Sequence, residues 1–123
     1  MYKVLIVDDD LDLLFMTKII LERNNFLVTA ISTWEEIDSS INEFHPDLIL
    51  LDTYLSGADG RNICRHLKAK NNTKKVPILL SSAGHLIKES LTIIPADGFI
   101  ENPYKVVTLI SKIDSILSDS TKL

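Results

Sequence analysis

Short apolar runs alternate with amphipathic stretches along the chain, and each run stops where polar residues begin. Continuous apolar runs of about four to eight residues are typical of parallel strands that are covered on both faces. The predicted strands are residues 3–7, 26–31, 48–51, 76–80 and 98–100. The predicted helices are residues 11–23, 34–44, 61–70, a short one within 84–91, and 104–117. This alternation predicts an α/β fold with a five-stranded parallel sheet and helices on both faces.

The first predicted helix carries two apolar stripes, and Asp10 is placed to cap its N-terminus. The spacing of one stripe is typical of a core face, and this stripe consists of Leu13, Met16, Ile20 and Leu21. The other stripe is predicted to face outward and consists of Leu11, Leu14, Phe15 and Ile19. Because so short a chain has little material to cover both stripes, we interpret the outward one as a landing site for a partner protein. In the last helix, the predicted core face is Val106, Ile110, Ile113 and Leu117.

The composition is that of one soluble globular domain spanning residues 1–123, with 46% hydrophobic and 24% charged residues. A net charge of -4 argues against a protein that binds nucleic acid or anionic membranes, because phosphate groups require clustered Lys and Arg. The single cysteine, Cys64, excludes an internal disulfide and fits a reducing compartment. No run is long enough to span a membrane, and the first strand begins too early for a signal peptide. These features predict a cytoplasmic protein.

Polar side chains that can carry chemistry follow the predicted strands. Asp8 and Asp9 end the first strand, Asp52 the third, Ser82 the fourth and Asn102 the fifth. Ligands of open α/β sheets collect at the carboxyl ends of the strands, so we expect these side chains to meet at one edge. Three carboxylates that repel one another favour a bound cation. Oxygen ligands without sulfur or histidine indicate a hard ion, Mg²⁺ or Mn²⁺.

Four segments together resemble the receiver domain of bacterial two-component response regulators, and they cover nearly the whole chain. They are LIVDDD (Leu5 to Asp10), LILLDTYLSGADG (Leu48 to Gly60), VPILLSSA (Val76 to Ala83) and ADGFIENPY (Ala96 to Tyr104). The resemblance implies a flavodoxin-like sheet of strand order 2-1-3-4-5. It also implies a signalling domain that accepts a phosphoryl group and is not an enzyme.

The resemblance further implies a role for each matching residue. Asp52 would accept the phosphoryl group; Asp9 would bind Mg²⁺ directly, Asp8 would bind it through water, and Asp52 and the backbone carbonyl of Tyr54 would complete the protein ligands. Ser82 and Phe99 would form the conformational switch. A sensor histidine kinase or a phosphotransfer protein would be the phosphoryl donor and would contact the outward stripe of the first helix. The surface of the fourth helix, fifth strand and fifth helix would be the output face, where a homodimer is possible.

Three departures from the family pattern stand out. Asn102 occupies the place of the family's lysine before a proline, which puts switching in question, and Lys105 is the candidate substitute. Ser56 stands where the family usually has proline, which is expected to loosen the loop after Asp52. The segment from Ser82 to Asn102 is short, which is expected to stunt the fourth helix.

Two alternatives remain open from the sequence alone. The first is a degenerate receiver that docks a partner without using phosphate, for which Asn102 is the evidence. The second is a phosphatase of the haloacid dehalogenase type, whose nucleophile is the first Asp of a DxD pair after the first strand. Asp8 and Asp10 have that spacing, but Asp52 would then have no role.

Overall fold

A computed structural model of the chain describes residues 1–83 and 93–121. The strands are β1 (Lys3–Val7), β2 (Leu27–Ile31), β3 (Leu48–Asp52), β4 (Tyr54–Leu55), β5 (Ala58–Asp59), β6 (Ile78–Ala83) and β7 (Gly98–Asn102). The helices are α1 (Leu11–Arg23), α2 (Ile37–Phe44), α3 (Gly60–Ala69) and the C-terminal helix α4 (Val106–Thr121), with a single 3-10 turn at Trp34–Glu36. The predicted short helix within 84–91 lies outside the described residues.

Five strands form one parallel sheet in the order β2-β1-β3-β6-β7. Strands β4 and β5 form a separate antiparallel hairpin after β3, where the sequence predicted only a loop. Without the hairpin, the order is the predicted 2-1-3-4-5, so the flavodoxin-like prediction is confirmed. The order places β1 and β3 side by side at the centre, and the residues that follow them therefore meet at one edge.

Helices cover both faces of the sheet, and the sheet separates the core into two layers. Along β3, Ile49 and Leu51 point into one layer, and Leu48 and Leu50 point into the other. The first layer is completed by α2 and α3, through Ile37, Ile41, Cys64 and Leu67. The second is completed by α1 and α4, through Leu14, Leu21, Leu109, Ile113 and Leu117. No helix in the described part of the chain is long and apolar enough to span a membrane.

The predicted core face of α1 is partly wrong. Leu14, predicted to face outward, is only 3% exposed, whereas Met16, predicted to be in the core, is 59% exposed. The buried side is Leu14, Thr17 and Leu21, which follow the i, i+3, i+7 spacing of one helical face. Because Thr17, in the middle of this buried face, is polar, the pattern of apolar residues did not indicate the face. Leu11, Phe15 and Ile19 are exposed, as predicted.

A similar shift occurs in α4. Ile113 and Leu117 are buried as predicted and Ile110 is half-buried, but Val106 is 43% exposed, and Leu109 takes its place in the core. Val106 is the first residue of the helix, so it precedes the turn that packs on the sheet.

Three strands are longer at their C-terminal ends than predicted, and the first of them, β3, continues one residue further to Asp52. β6 continues through Ser81 and Ser82 to Ala83, and β7 continues to Asn102. These polar residues therefore lie within the strands, at the C-terminal edge of the sheet. At α1, the predicted cap is present, since the Asp10 side chain accepts a hydrogen bond from the Leu13 amide. Thr33 makes no such cap, and its hydroxyl donates to the Glu36 carboxylate at 2.8 Å.

Candidate functional site

Three carboxylates converge at the C-terminal edge of the sheet. Asp8 and Asp9 follow β1, and Asp52 is the last residue of the neighbouring strand β3. Each contributes an oxygen atom, and the three oxygens lie within 4.8 Å of one another. Asp8 is only 6% exposed, so at least one of these charges lies largely out of water. The structure therefore brings together the acids that the sequence placed at one edge.

The cluster is electrostatically unfavourable without a cation. Burial raises the pKa of Asp52 to about 7, with Asp8 adding to the shift and the backbone amide of Tyr54 opposing it. Burial also raises the pKa of Asp8, and the charges of Asp10 and Asp9 raise it further. In residues 1–83 and 93–121, no Lys or Arg pairs with Asp8, Asp9 or Asp52. Three hard oxygen donors without a protein cation fit a divalent ion such as Mg²⁺ or Mn²⁺.

Asp9 is held by the hairpin that follows Asp52. The backbone amide of Ser56 donates to Asp9 Oδ2 at 2.9 Å, and the Ser56 hydroxyl donates to the same oxygen at 2.8 Å. The serine therefore ties the loop to the acid cluster, which corrects the expectation that it would loosen the loop. Tyr54 begins β4 on the same side, with its side chain half exposed beside Asp8 and Asp52.

Ser82 is buried in β6 at 3% exposure, and its hydroxyl has no hydrogen-bond partner among the described residues. Buried hydroxyls are normally bonded, so an unpaired one calls for an explanation. Phe99 on the adjacent strand β7 is half-buried and pairs with Leu80, two residues before Ser82. Because side chains alternate along a strand, Ser82 and Phe99 project from the same face of the sheet.

A cavity of about 550 Å³ opens beside the acids between α1 and the chain that follows β7. Its lining includes Asp8, Asp52, Asn102, Tyr104 and Met16 of α1. Asn102 ends β7 and precedes a cis peptide bond to Pro103. Asp8 and Asp52 therefore border an open cavity, and Asn102 lines the same cavity.

Residues 4–114 match a family model described as "Response regulator receiver domain". The chain belongs to this family. The receiver domain is 27% identical to the phosphate regulon transcriptional regulatory protein PhoB of Escherichia coli over 117 residues, which cover 94% of this chain and 51% of PhoB. It is 31% identical to the sensory transduction protein BceR of Halalkalibacterium halodurans over 119 residues, 95% of this chain and 50% of BceR. The chain thus spans about half the length of the curated relatives it matches.

Among solved structures, a signal receiver domain of a signal transduction histidine kinase from Syntrophus aciditrophicus superposes with a TM-score of 0.90 at 26% identity. The alignment covers 100% of this chain and 95% of that one. Receiver domains are signalling domains and not enzymes, which removes the haloacid dehalogenase hypothesis. The Asp10 carboxylate that this hypothesis required caps α1 by accepting from the Leu13 amide at 3.2 Å.

In this receiver domain the family's lysine position holds Asn102, and Lys105 does not replace the missing charge. Lys105 is exposed and makes no ion pair with the acids within the ranges that the structure covers. Within the described residues, the acid cluster therefore lacks the positive neighbour that the family pattern supplies.

Sequence reasoning missed Tyr104 and Thr17. The Tyr104 hydroxyl lies 3.3 Å from Thr17 Oγ1 and joins the chain after β7 to helix α1. Burial raises the pKa of Tyr104, and the charges of Asp8 and Asp52 raise it further, so the phenol stays protonated beside the acids. The sequence carried no signal for this contact, because Thr17 lies outside the predicted core face of α1 and its partner comes 87 residues later.

Proposed function

We propose that this receiver domain accepts a phosphoryl group on Asp52 from a phosphohistidine of a sensor histidine kinase or phosphotransfer protein, and that the resulting acyl phosphate biases a conformational switch. The observation that carries the proposal is the meeting of Asp8, Asp9 and Asp52 beside an open cavity with no protein cation among the described residues. Such a cluster is costly to fold and is useful where a cation and a phosphoryl group bind.

Asp52 is the acceptor in this proposal because it ends the central strand β3 and borders the cavity. One Asp52 oxygen forms a bond to phosphorus as the bond between phosphorus and the donor imidazole nitrogen breaks, and that nitrogen keeps the electron pair. When bound, Mg²⁺ would supply positive charge to the oxygens of the phosphoryl group during transfer. Asp9 and Asp8 would hold the ion, with Asp52 and the backbone carbonyl of Tyr54, and Asp52 must be ionised to attack.

The switch would act through Ser82. Its buried hydroxyl lacks a partner in the described part of the chain and is a ready donor to a phosphoryl oxygen. A ligand shifts a conformational equilibrium only when it contacts the two states differently, and a new Ser82 hydrogen bond is such a contact. Phe99, on the same face of the sheet, would move with it. The output would be read at the face that includes β7 and α4, where a second copy of the chain is a possible partner.

We further propose that residues 1–123 form one domain that works in the cytoplasm without contacting nucleic acid or membrane directly. Both core layers are built on one sheet, which supports a single domain. The net charge of -4 supports the choice of a protein partner over nucleic acid or an anionic membrane.

Intact-mass measurement after incubation with Mg²⁺ and a small phosphodonor tests the proposal. Wild type should gain the mass of one phosphoryl group, and Asp52→Asn should not. Asp114→Asn, an exposed acid on α4, is the matched control and should be labelled like wild type. An unlabelled wild type, or equal labelling of Asp52→Asn, would remove Asp52 as acceptor.

The same experiment decides the one alternative that a specific observation favours. Asn102 leaves the acids without the family's positive neighbour, which favours a degenerate receiver that binds a partner without phosphate. That function predicts no adduct on wild type and partner binding that Mg²⁺ and phosphodonor leave unchanged.

A further inference from the structure

Ser56 makes two hydrogen bonds to a single oxygen of Asp9. Its amide and its hydroxyl donate to Asp9 Oδ2 at 2.9 and 2.8 Å, across 47 residues of sequence. Hydrogen bonds to a charged acceptor are stronger than neutral ones. Asp9 Oδ1 accepts no hydrogen bond from any residue that the structure describes, so one oxygen is held while the other remains open.

The hairpin turn itself does not require serine at this position. Leu55 pairs with Ala58, so Ser56 and Gly57 are the two turn residues. Gly57 adopts a φ of +80°, and a turn with positive φ at its second position readily accepts proline at its first. Ser56 is exposed and contributes nothing to the core. Neither the turn nor packing therefore accounts for both donors reaching Asp9.

We infer that Ser56 is a positioning residue for the divalent cation: by holding Asp9 Oδ2, it fixes the orientation of the Asp9 carboxylate, one oxygen of which lies within 4.8 Å of oxygens of Asp8 and Asp52. The inference rests on the proposed metal-dependent function. Partners that orient a metal ligand raise affinity by removing the freedom that the ligand would otherwise lose on binding. Ser56 would thus set how much Mg²⁺ the reaction needs, without touching the phosphoryl group.

Direct titration with Mn²⁺, with the free ion read by electron paramagnetic resonance, measures this role. In Ser56→Ala the dissociation constant for Mn²⁺ should rise by about tenfold. Ser56→Pro keeps the turn but removes both donors, so it should raise the dissociation constant for Mn²⁺ further. Ser56→Thr keeps both donors and should restore the wild-type constant. Ser39→Ala is the matched control, because Ser39 is an exposed serine whose hydroxyl donates to the Glu36 carbonyl at 3.1 Å and not to any of the three acids.

Phosphorylation by a small phosphodonor gives a second readout. Ser56→Ala should be labelled more slowly than wild type at limiting Mg²⁺ and at the wild-type rate at saturating Mg²⁺. A merely structural role would lower the rate at both concentrations and would not follow the presence of a hydroxyl in Ser56→Thr.

The outcomes separate the inference from the function on which it rests. Equal Mn²⁺ affinity in wild type and Ser56→Ala, or a labelling defect that persists at saturating Mg²⁺, overturns the role of Ser56 while Asp52 labelling of wild type still supports the proposed function. A wild type that binds no Mn²⁺ and acquires no adduct overturns both.

Discussion

Gly60 packs directly against the backbone carbonyl of Asp52. A Cβ atom at Gly60 would overlap the Asp52 carbonyl and lie 3.0 Å from Thr53 Cα, closer than side chains normally approach. The Gly60 amide also donates to the Thr53 carbonyl at 2.7 Å. The start of α3 therefore holds the end of β3, and this contact helps to place Asp52 at the edge of the sheet.

Replacing Gly60 with alanine should displace the end of β3. We expect the free energy of unfolding to fall by about 2–3 kcal/mol, because backbone atoms on the opposing side cannot rotate away as a side chain does. Asp52 labelling by a small phosphodonor should slow as well. Urea denaturation and intact-mass labelling measure the two effects.

Gly57→Ala is the control for Gly60→Ala. Because Gly57 has a positive φ, alanine there should lower the free energy of unfolding by about 1 kcal/mol. The new Cβ would not clash, since the nearest atom, Trp34 Nε1, lies 3.7 Å away. If Gly60→Ala proved no more harmful than Gly57→Ala, close packing would not be what places Asp52.

The raised pKa of Asp52 makes stability depend on pH. Folding raises its pKa from an ordinary 3.8 to about 7, so the folded state binds more protons than the unfolded state between these values. Stability must then fall as pH rises from about 4 to about 7. Asp52→Asn removes this loss and should be more stable than wild type above pH 7. The full shift corresponds to about 4 kcal/mol, and solvent screening at the half-open site reduces the expected gain to on the order of 1–2 kcal/mol.

Urea denaturation at several pH values, without divalent cations, measures the Asp52→Asn effect. The gap between the two proteins should close as the pH falls to about 3, below the ordinary pKa of 3.8, because Asp52 is then protonated in both states. Adding Mg²⁺ at pH 8 should stabilise wild type and narrow the gap, since a ligand of the folded state stabilises it. A gap that widened toward acid pH would contradict the proposed cause.

Asn102→Lys should restore a positive neighbour to the acids. We expect the free energy of unfolding at neutral pH, without divalent cation, to rise by on the order of 1 kcal/mol. A fixed cation also competes with a bound one, so the affinity for Mg²⁺ should fall by about tenfold. Asn42→Lys, on the exposed side of α2, makes the same change of charge away from the acids. Equal effects from both substitutions would mean that position 102 does not act on the acid cluster.

How much of this site the sequence could predict depends on how local each signal is. The meeting of Asp8 and Asp52 followed from two neighbouring strands that both end in acids, because parallel order fixes which ends adjoin. The Ser56 contact with Asp9 could not be predicted, since the two residues are distant in sequence and a turn serine shows no partner. Long-range hydrogen bonds of this kind require coordinates.

The helix faces show a different limit. With apolar residues all around α1, periodicity alone did not distinguish Leu14 in the core from the exposed Met16. Thr17 looked like a surface residue because its partner, Tyr104, comes much later in the chain. The strand ends were missed for a related reason: Ser81 and Ser82 are polar, yet they continue β6 because β3 and β7 flank them.

The exposed side of α1 should matter for a protein donor and not for a small one. Phe15 is 58% exposed and Leu14 only 3%. Substituting Phe15 therefore tests contact with a partner, and substituting Leu14 tests the contribution of this helix to folding. Phe15→Ser should slow transfer from a histidine kinase that phosphorylates wild type by roughly tenfold. Labelling by a small phosphodonor should be unchanged. Leu14→Ser should instead lower the free energy of unfolding by about 3 kcal/mol.

Leu27→Ser is the control for the α1 surface, because Leu27 is a similarly exposed apolar residue on β2. It should leave both transfer reactions unchanged. If Phe15→Ser slowed labelling by the small donor as much as transfer from the kinase, the stripe would act on the acid site itself and not as a docking surface.

Ser82 and Thr53 offer a matched comparison of two buried hydroxyls. Thr53 Oγ1 donates to the Ser81 carbonyl at 2.7 Å, whereas Ser82 Oγ has no partner among the described residues. Thr53→Val should therefore lower the free energy of unfolding by about 1–2 kcal/mol, and Ser82→Ala should leave it within about 0.5 kcal/mol of wild type.

We expect the stability of the unphosphorylated protein not to depend on the Ser82 hydroxyl, and the proposed switch to depend on it. In Ser82→Ala, Asp52 should still be labelled, while the change that phosphorylation causes in the ring-proton NMR signals of Phe99 should be largely lost. A stability loss in Ser82→Ala as large as that in Thr53→Val would mean that the hydroxyl is already bonded before phosphorylation, and a full Phe99 response in that variant would mean that the switch does not run through it. A hydroxyl that is bonded equally in both states cannot shift the equilibrium between them. Ser82 can act in the switch only if its hydroxyl gains a partner when Asp52 is phosphorylated.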